Sequence, residues 1–563
     1  MTTTSGTTAT DASAAPLPRR GVLLSLSGLL LGMFVSMLAA TVVSTSLPVI
    51  IHDLGGDQAA FTWVVTATLL TTAISTPVWG KLADLVDRKL LIQLALVIFV
   101  LATAAAGFAQ DTGTLIAFRA VQGLGAGGLA ALSQVIMADI LSPRERGRYM
   151  GLFGAVMAVA TVGGPLLGGL ITDSIGWRWN FYVAIPFAIA ALVILQRTLH
   201  LPRRRRDRVS IDYVGIVLLA ASVSLLLVWI TGAGDSYPWW GVETALMVGG
   251  ALLGAVLFVL VELRSREPLI PLSLFRDRTF TLSVVASIAT GVAMFGTSVF
   301  LSQYMQMSRG ASPAEAGLMT LPMIGGLLVA SIVVGQLITR YGHWKPYLVA
   351  GSVLLIAGSS LLSTLHYDTP FVLVSVYMFL LGAGVGMTMQ NLVLIVQNTA
   401  RPQDMGAASS GVTFFRSLGG TIGVSAMGAA LAASVTDLFA SSQARLGAAI
   451  ARLGERGADV AAQLTSGTLP AVNTLPASVR VIVEDIYAQG ISHSFLIAVP
   501  LAIISLIAVM FLPNRSLHRA TTQERLAASE AGLATEAAGE AAAGSAAGIA
   551  ATDAEASARR TRR

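Results

Sequence analysis

Gly80-Lys81-Leu82-Ala83-Asp84-Leu85-Val86-Asp87-Arg88-Lys89 is the stretch that decides the reading of this chain. It joins two apolar segments, at 60 to 80 and 90 to 109, each close to the roughly 20 residues that a membrane-crossing helix requires. A plain tight turn between two helices needs no acid. A short connection with glycine at its entry and both signs of charge can pin two helix ends together and still break and re-form.

The same alternation of apolar run and short charged link continues in both directions. Apolar segments fall at 23 to 50, 113 to 139, 148 to 172, 180 to 200, 212 to 232, 242 to 263, 280 to 304, 316 to 338, 346 to 366, 371 to 397, 407 to 433 and 492 to 512. With the first two, that predicts fourteen spans, and an even number puts both termini on one side. Composition agrees: 54% of the 563 residues are hydrophobic and 12% are charged, against about 25% charged in a soluble domain. A soluble globular protein is excluded. Cysteine is absent, which removes disulfides, thiolate metal sites and cysteine nucleophiles together. The 6 histidines are scattered, so neither a metal nor a cofactor is expected. The net charge of +6 comes from short clusters between apolar runs, a membrane-protein pattern that calls for no nucleic acid. No pair of acids and no Ser/His or His/His set lies within the spans at catalytic spacing, so an intramembrane enzyme is not indicated. No Gly-x-x-x-x-Gly-Lys-[Ser/Thr] string occurs, which removes a primary pump.

Lys and Arg orient the chain. With the N-terminus inside, 28 of the 36 fall on the cytoplasmic side, and the short connections plus N-tail hold 21 inside against 2 outside, Arg178 and Arg309. This is the positive-inside bias, with Arg203-Arg204-Arg205-Arg206 its strongest anchor. The first 18 residues have no positive n-region and the apolar stretch after Arg20 is too long for a cleavable signal; the first helix is expected to stay attached. The predicted organisation is a disordered cytoplasmic N-tail (1–20), a six-helix bundle (21–200), an inserted helix pair with linkers (201–279), a second six-helix bundle (280–512) and a disordered cytoplasmic C-tail (513–563). Residues 434 to 490 read as a long outer loop. Its Leu446, Ile450, Leu453, Val460 and Leu464, then Val479, Ile482, Val483 and Ile486, predict two amphipathic helices on the membrane or over the pore mouth. Ser142-Pro143-Arg144-Glu145 and Ser312-Pro313-Ala314-Glu315 read as helix starts with a reciprocal capping glutamate.

Three groups inside the spans carry chemistry. Arg119-Ala120-Val121-Gln122 opens a glycine-rich string in the outer half of the fourth span; an arginine placed there is costly and should face the bundle interior or an aqueous cavity with a partner. Gly163-Gly164-Pro165-Leu166-Leu167-Gly168-Gly169 in the fifth span has Gly164 and Gly168 on one small-residue face, while Pro165 invites a kink. Thr41, Ser44, Tyr304, Gln390 and Asn391 offer polar groups to a cavity, and Phe295 with neighbouring methionines offers an adaptable wall; for each one taken singly, core packing or a lipid-facing position is the competing reading.

These strings together resemble the major facilitator superfamily. Gly80, Asp84, Arg88 and Lys89 match its inner-loop signature, although Leu85 stands where arginine is usual and Asp87 where a second glycine is usual. Gly335, Arg340, Tyr341, Gly342 and Lys345 echo it weakly, as two parallel repeats would. The Arg119 string looks like the fourth-helix motif linked to proton translocation, and Gly163 to Gly169 with Trp177-Arg178-Trp179-Asn180-Phe181 resembles the antiporter motif of exporting members. Glu267-Pro268-Leu269-Ile270-Pro271-Leu272, Ser312 to Gly317 and Phe414-Phe415-Arg416-Ser417-Leu418-Gly419-Gly420 look like the fourteen-helix drug:proton antiporter branch, EmrB/QacA type. The resemblance implies an all-α polytopic protein of fourteen transmembrane helices: two six-helix bundles related as pseudo-two-fold repeats, with a central inserted pair. It implies a monomer in the bacterial cytoplasmic membrane that exchanges protons for small amphipathic substrates, a secondary active multidrug exporter working by alternating access. A dedicated exporter of an endogenous lipid or secondary metabolite is the alternative; an importer or facilitator conflicts with the glycine-rich antiporter string. One departure bears on coupling: Ala39 occupies the position where relatives commonly carry a first-helix aspartate. Arg119 and Arg416 are then the deep ionisable groups, with Gln122 beside Arg119, and Asp139 and Glu315 are the carboxylates left to test. Two deep arginines without a deep acid favour neutral or anionic amphiphiles over dications.

Overall fold

The protein is seen here as a computed structural model that describes residues 19–55, 58–141, scattered positions from 145 to 173, 174–199, 212–232, 238–265, 268–311, 313–401, 404–465, 472, 475–514 and 517. The N-tail, the arginine cluster at 203 to 206 and nearly all of the C-tail lie outside the described residues. All regular structure among those described is helical, and twelve stretches are long and apolar enough to cross a membrane. The first four helices are α1 (Arg19–Asp53), α2 (Gln58–Leu85), α3 (Arg88–Gly107) and α4 (Thr112–Ile140). Helical positions between 145 and 174 follow, then a single turn Trp179–Tyr182 and α5 (Ile185–Thr198). Next come α6 (Tyr213–Gly232) and α7 (Val242–Arg264), then α8 (Arg278–Gly291), a π turn Val292–Gly296 and α9 (Thr297–Met307). The remainder is α10 (Pro313–Met319), α11 (Leu321–Tyr341), α12 (Lys345–Leu362), α13 (Phe371–Thr399), α14 (Met405–Ala451), α15 (Glu455–Thr465), α16 (Ala477–Phe495) and α17 (Ala498–Phe511).

Aspartates start three of these helices. The Asp87, Asp111 and Asp277 side chains accept hydrogen bonds from the backbone amides of Lys89, Thr114 and Thr279, each satisfying an N–H that the first helical turn leaves free. Asp87, out of place against the family signature, therefore has a local role in capping α3.

Packing repeats between the two halves of the chain. α4 lies against both α2 and α3, as α13 lies against both α11 and α12, and α1 pairs with α5 as α8 pairs with α17. The first half is filled by Leu96, Leu132, Val135, Ala188 and Leu195, and the second by Tyr304, Met378, Leu431, Val483 and Ile486. Two lysines repeat as well. Lys89 Nζ donates to the Gln196 carbonyl in the last turn of α5 at 2.8 Å, and Lys345 Nζ donates to the Met510 and Leu512 carbonyls at the end of α17, both at 2.8 Å. Each places a cation on orphan C-terminal carbonyls, where the helix dipole favours it. α6 and α7 pack on each other, and Leu219, Leu227 and Phe258 join them to Ile74 and Val78 of α2 and Phe414 of α14. In the last turn of α7 the buried Glu262 carboxylate accepts the Leu269 and Ile270 amides at 3.0 and 3.2 Å, folding the Pro-rich connection back onto this joint.

The stretch from 434 to 490, read from the sequence as a long loop carrying two amphipathic helices, is helical over most of its described residues. α14 runs unbroken for 47 residues, about 70 Å at 1.5 Å per residue and more than twice the hydrocarbon thickness. Its C-terminal end, with Leu446 and Ala449, packs against Val460 of α15, while Val479, Ile482, Val483 and Ile486 of α16 sit in the core of the second half. An apolar stripe of helical period reads the same whether its face meets lipid or another helix; here it meets helices.

Candidate functional site

Asp84 sits in the last turn of α2 and reaches across to the other half of the molecule. Its Oδ1 accepts the Gly406 amide at 2.9 Å and its Oδ2 the Ala407 amide at 3.0 Å. These are first-turn amides of α14, which have no partner within their own helix, and the carboxylate also complements the positive end of the helix dipole. Asp404, the residue before α14, makes no side-chain cap, so the acid from α2 takes that place. Gly80 lets the backbones close up: a Cβ there would stand 2.8 Å from the Gly406 carbonyl oxygen. Arg88 opens α3 and is 3% exposed. It donates from Nη2 to Asp84 at 3.3 Å, from Nε to the Ala83 carbonyl at 2.7 Å and from Nη1 to Asp139 in the last turn of α4. Two acids and one base thus tie α2, α3, α4 and α14 together at one end of the helices.

Above this latch lies a seam of buried amides. Gln134 of α4 donates to Gln390 of α13 at 3.4 Å, and Gln397 donates to the Gln134 carbonyl at 3.3 Å and to Ser409 of α14 at 2.9 Å. Asn391 donates to the Met387 carbonyl at 2.7 Å. Arg416, about 16 Å up α14 from its start, is 5% exposed and donates from Nη1 to the Met389 carbonyl at 3.3 Å.

Arg119 belongs to a separate network near the other end of α4. Its Nη1 donates to Gln122 Oε1 at 2.7 Å, Gln122 Nε2 donates to Thr103 Oγ1 at 2.7 Å, and Thr103 donates to the Phe99 carbonyl at 2.6 Å. Among the described residues Arg119 Nε has no hydrogen-bond partner. Twenty residues of helix separate Arg119 from Asp139, about 30 Å. The structure therefore pairs Asp139 with Arg88 and gives Arg119 an amide in place of a carboxylate.

The glycine string of the fifth segment packs on α1. A Cβ on Gly168 would lie 2.6 Å from the Val42 carbonyl oxygen, and one on Gly164 would meet Thr41, whereas one on Gly163 would meet nothing within 4 Å. Thr41 Oγ1 donates to the Ala160 carbonyl at 3.0 Å and Ser46 Oγ to the Gly168 carbonyl at 3.2 Å. Thr41 thus serves the helix contact. Pro165, Gly169 and the Ser44 side chain lie outside the described residues. Tyr304 is fully buried, and its hydroxyl donates to the His366 carbonyl at 2.6 Å, so it packs in the core of the second half. Phe295 lies in the π turn against Gly420, and Gly419 and Gly423 bring α14 within 2.5 Å and 2.6 Å of Ile288 and Val292 atoms, measured from where a Cβ would stand. A π turn is an uncommon break in a helix and often marks functional segments.

Sequence reasoning passed over Thr103, Gln134 and Gln397. Their signal was present: amides and hydroxyls inside apolar spans, where each needs a partner. Their partners on other helices lie 12 to 263 residues away in the chain, beyond what spacing can tell.

The Major Facilitator Superfamily sequence model matches residues 29–424 of the chain. The multidrug transporter protein MdtP of Bacillus subtilis is 35% identical over 416 residues, 74% of this chain and 76% of the relative. Multidrug resistance protein 3 of the same organism is 29% identical over 492 residues, 86% and 94% of the two chains. The MFS-type transporter of the acurin A biosynthesis cluster of Aspergillus aculeatus is 32% identical over 412 residues, 71% and 74%. Among solved structures, the human organic anion transporter MFSD10 superposes with a TM-score of 0.56 at 14% identity, over 85% of this chain and 99% of that one; this likeness concerns the fold.

Proposed function

The chain belongs to the major facilitator superfamily and to its drug:proton antiporter family, and from that premise we propose that it exports small amphipathic molecules from a bacterial cell in exchange for protons, by alternating access. The observation that carries this reading is the Asp84 latch. A closure made of two backbone hydrogen bonds and one ion-pair cluster joins the halves firmly, yet breaks without disturbing either core. Opening at the inner ends would admit substrate from the cytoplasm, and re-forming the latch would accompany release outside.

The proposed architecture is fourteen spans: the twelve stretches above, α2, and the helical segment between 145 and 174. Residues 21–200 and 280–512 form the two bundles, α6 and α7 are the inserted pair, both termini are cytoplasmic and the protein works as a monomer. Gly80, Asp84, Arg88 and Lys89 gate the inner side, with Asp139 as the second acid of that gate. Arg119, Gln122 and Arg416 serve coupling and the cavity, to which Gln390 and Asn391 contribute, and Gly164 and Gly168 hold α1 to the fifth span. The relative from a metabolite cluster supports a second reading, a dedicated exporter of a secondary metabolite, in the same transport cycle.

Purified protein in proteoliposomes tests the proposal. An imposed proton gradient should drive substrate movement against the proton flow, collapse with a protonophore, and be absent from Asp84→Asn. Movement of substrate in the same direction as protons would replace the exporter by a symporter.

A further inference from the structure

Arg416 is a charged group in the middle of the molecule that no acid satisfies. It is 5% exposed, its described acceptor is one backbone carbonyl at the long distance of 3.3 Å, and among the described residues no carboxylate pairs with it. Guanidinium carries five N–H donors and does not shed its proton, so burial leaves the charge in place and expensive. Its surroundings differ from those of Arg119, whose guanidinium is engaged at 2.7 Å by a side chain of its own helix. Arg416 instead adjoins the amide seam between the halves. Gln390 directly follows Met389, and it is Gln390 that accepts from Gln134 across the seam at 3.4 Å, while Gln134 Oε1 is buried without a partner. These amides are loosely held, and either can turn its NH2 group toward a new acceptor. The backbone of α14 at Arg416 is fixed closely, since Gly419, Gly420 and Gly423 seat the helix on α8 and the π turn.

We propose that Arg416 is the counter-ion for the exported molecule: it binds the single anionic group of an amphiphile, with Gln134 and Gln390 closing over it as the halves meet. This rests on the exporter reading and names its substrate class, an apolar body carrying one permanent negative charge. A bound anion supplies what the protein withholds, and because the site spans both halves, its occupancy bears on the closure that the Asp84 latch completes.

Two probes with one ring system separate charge from shape: 8-anilinonaphthalene-1-sulfonate and the uncharged N-phenyl-1-naphthylamine. In proteoliposomes the unmodified protein should move both under a proton gradient. R416Q should lose sulfonate transport by about tenfold or more, the scale of one charge-assisted hydrogen bond, and by a clearly larger factor than transport of the neutral probe; R416K should recover part of the sulfonate rate. Equal loss of both probes in a folded R416Q would make Arg416 structural and overturn the assignment. Thermal unfolding of the purified protein gives a readout independent of transport, because a ligand that binds the folded state raises the unfolding temperature. The sulfonate should stabilise the unmodified protein more than the neutral probe does, and excess 1-naphthalenesulfonate should compete for the site. No stabilisation by either sulfonate sinks the proposal even if R416Q fails to fold. Stabilisation by the sulfonates with no gradient-driven movement of any probe would uphold the site and reject the exporter reading.

Discussion

Asp84 holds two amides of α14 with its two oxygens, and Arg88 holds Asp84 in turn. Hydrogen bonds to a charged acceptor contribute about 1.5–3 kcal/mol each, a substantial share of what holds the start of α14 to the end of α2. Asp84→Asn keeps the shape, and its amide oxygen can still take one of the two bonds, but it removes the charge. We expect membrane insertion and expression close to normal, with transport reduced at least about tenfold; full efflux would reduce the connection to a simple turn. Arg119 gives a second prediction. With Gln122 and Thr103 as its relay, Arg119→Ala should abolish proton-coupled transport, and Gln122→Leu should reduce it by leaving a buried guanidinium without its amide oxygen. Proton release measured on substrate addition distinguishes this from loss of folding, which would also abolish substrate binding. At this scale the sequence was informative about which residues matter and silent about partners. Asp139 was one of the two carboxylates left to test, with Glu315; 20 residues of α-helix put it about 30 Å from Arg119, and Asp139 went to Arg88.

Helix contacts rest on small residues at the level of the elements. Gly168 allows the fifth segment within van der Waals reach of the Val42 backbone on α1, and Thr41 and Ser46 seal the pair with hydrogen bonds. Gly168→Leu has no room and must force the helices apart, an overpacking cost of about 1–3 kcal/mol. It should lower expression or leave a protein that inserts but does not transport. Gly163→Ala, facing open space, should be tolerated, and equal defects in the two would mean that the string acts through something other than this contact. Glu262 gives a related prediction. Glu262→Ala removes the acceptor of the Leu269 and Ile270 amides, so the connection between α7 and α8 should become accessible to protease in inverted vesicles while the spans stay intact. Apolar segments predicted these helices well, because length and hydropathy act locally. The helical period beyond residue 433 was legible for the same reason, but that α15 and α16 cover the apolar stripe at the end of α14 was not, because a stripe does not say what it packs against.

For the whole molecule, orientation is the property most open to direct measurement. The chain has no native cysteine, so Arg204→Cys and Thr465→Cys can be labelled without background. An impermeant thiol reagent added to whole cells should reach position 465 and not 204; outside labelling of position 204 would overturn the topology. Membrane class and the positions of most apolar spans were determined by the sequence itself, since each depends on the transfer of a local segment between water and lipid and requires no knowledge of neighbours. Motif order was likewise legible, and with it the family. What only the tertiary structure decided is pairing: Asp84 with the start of α14, Arg88 with Asp139, Gln134 with Gln390, and Arg416 with no acid among the described residues. Those choices join positions as much as 323 residues apart, and they follow from how twelve or more helices share one interior, where each buried polar group takes whichever partner the packing brings within hydrogen-bond reach.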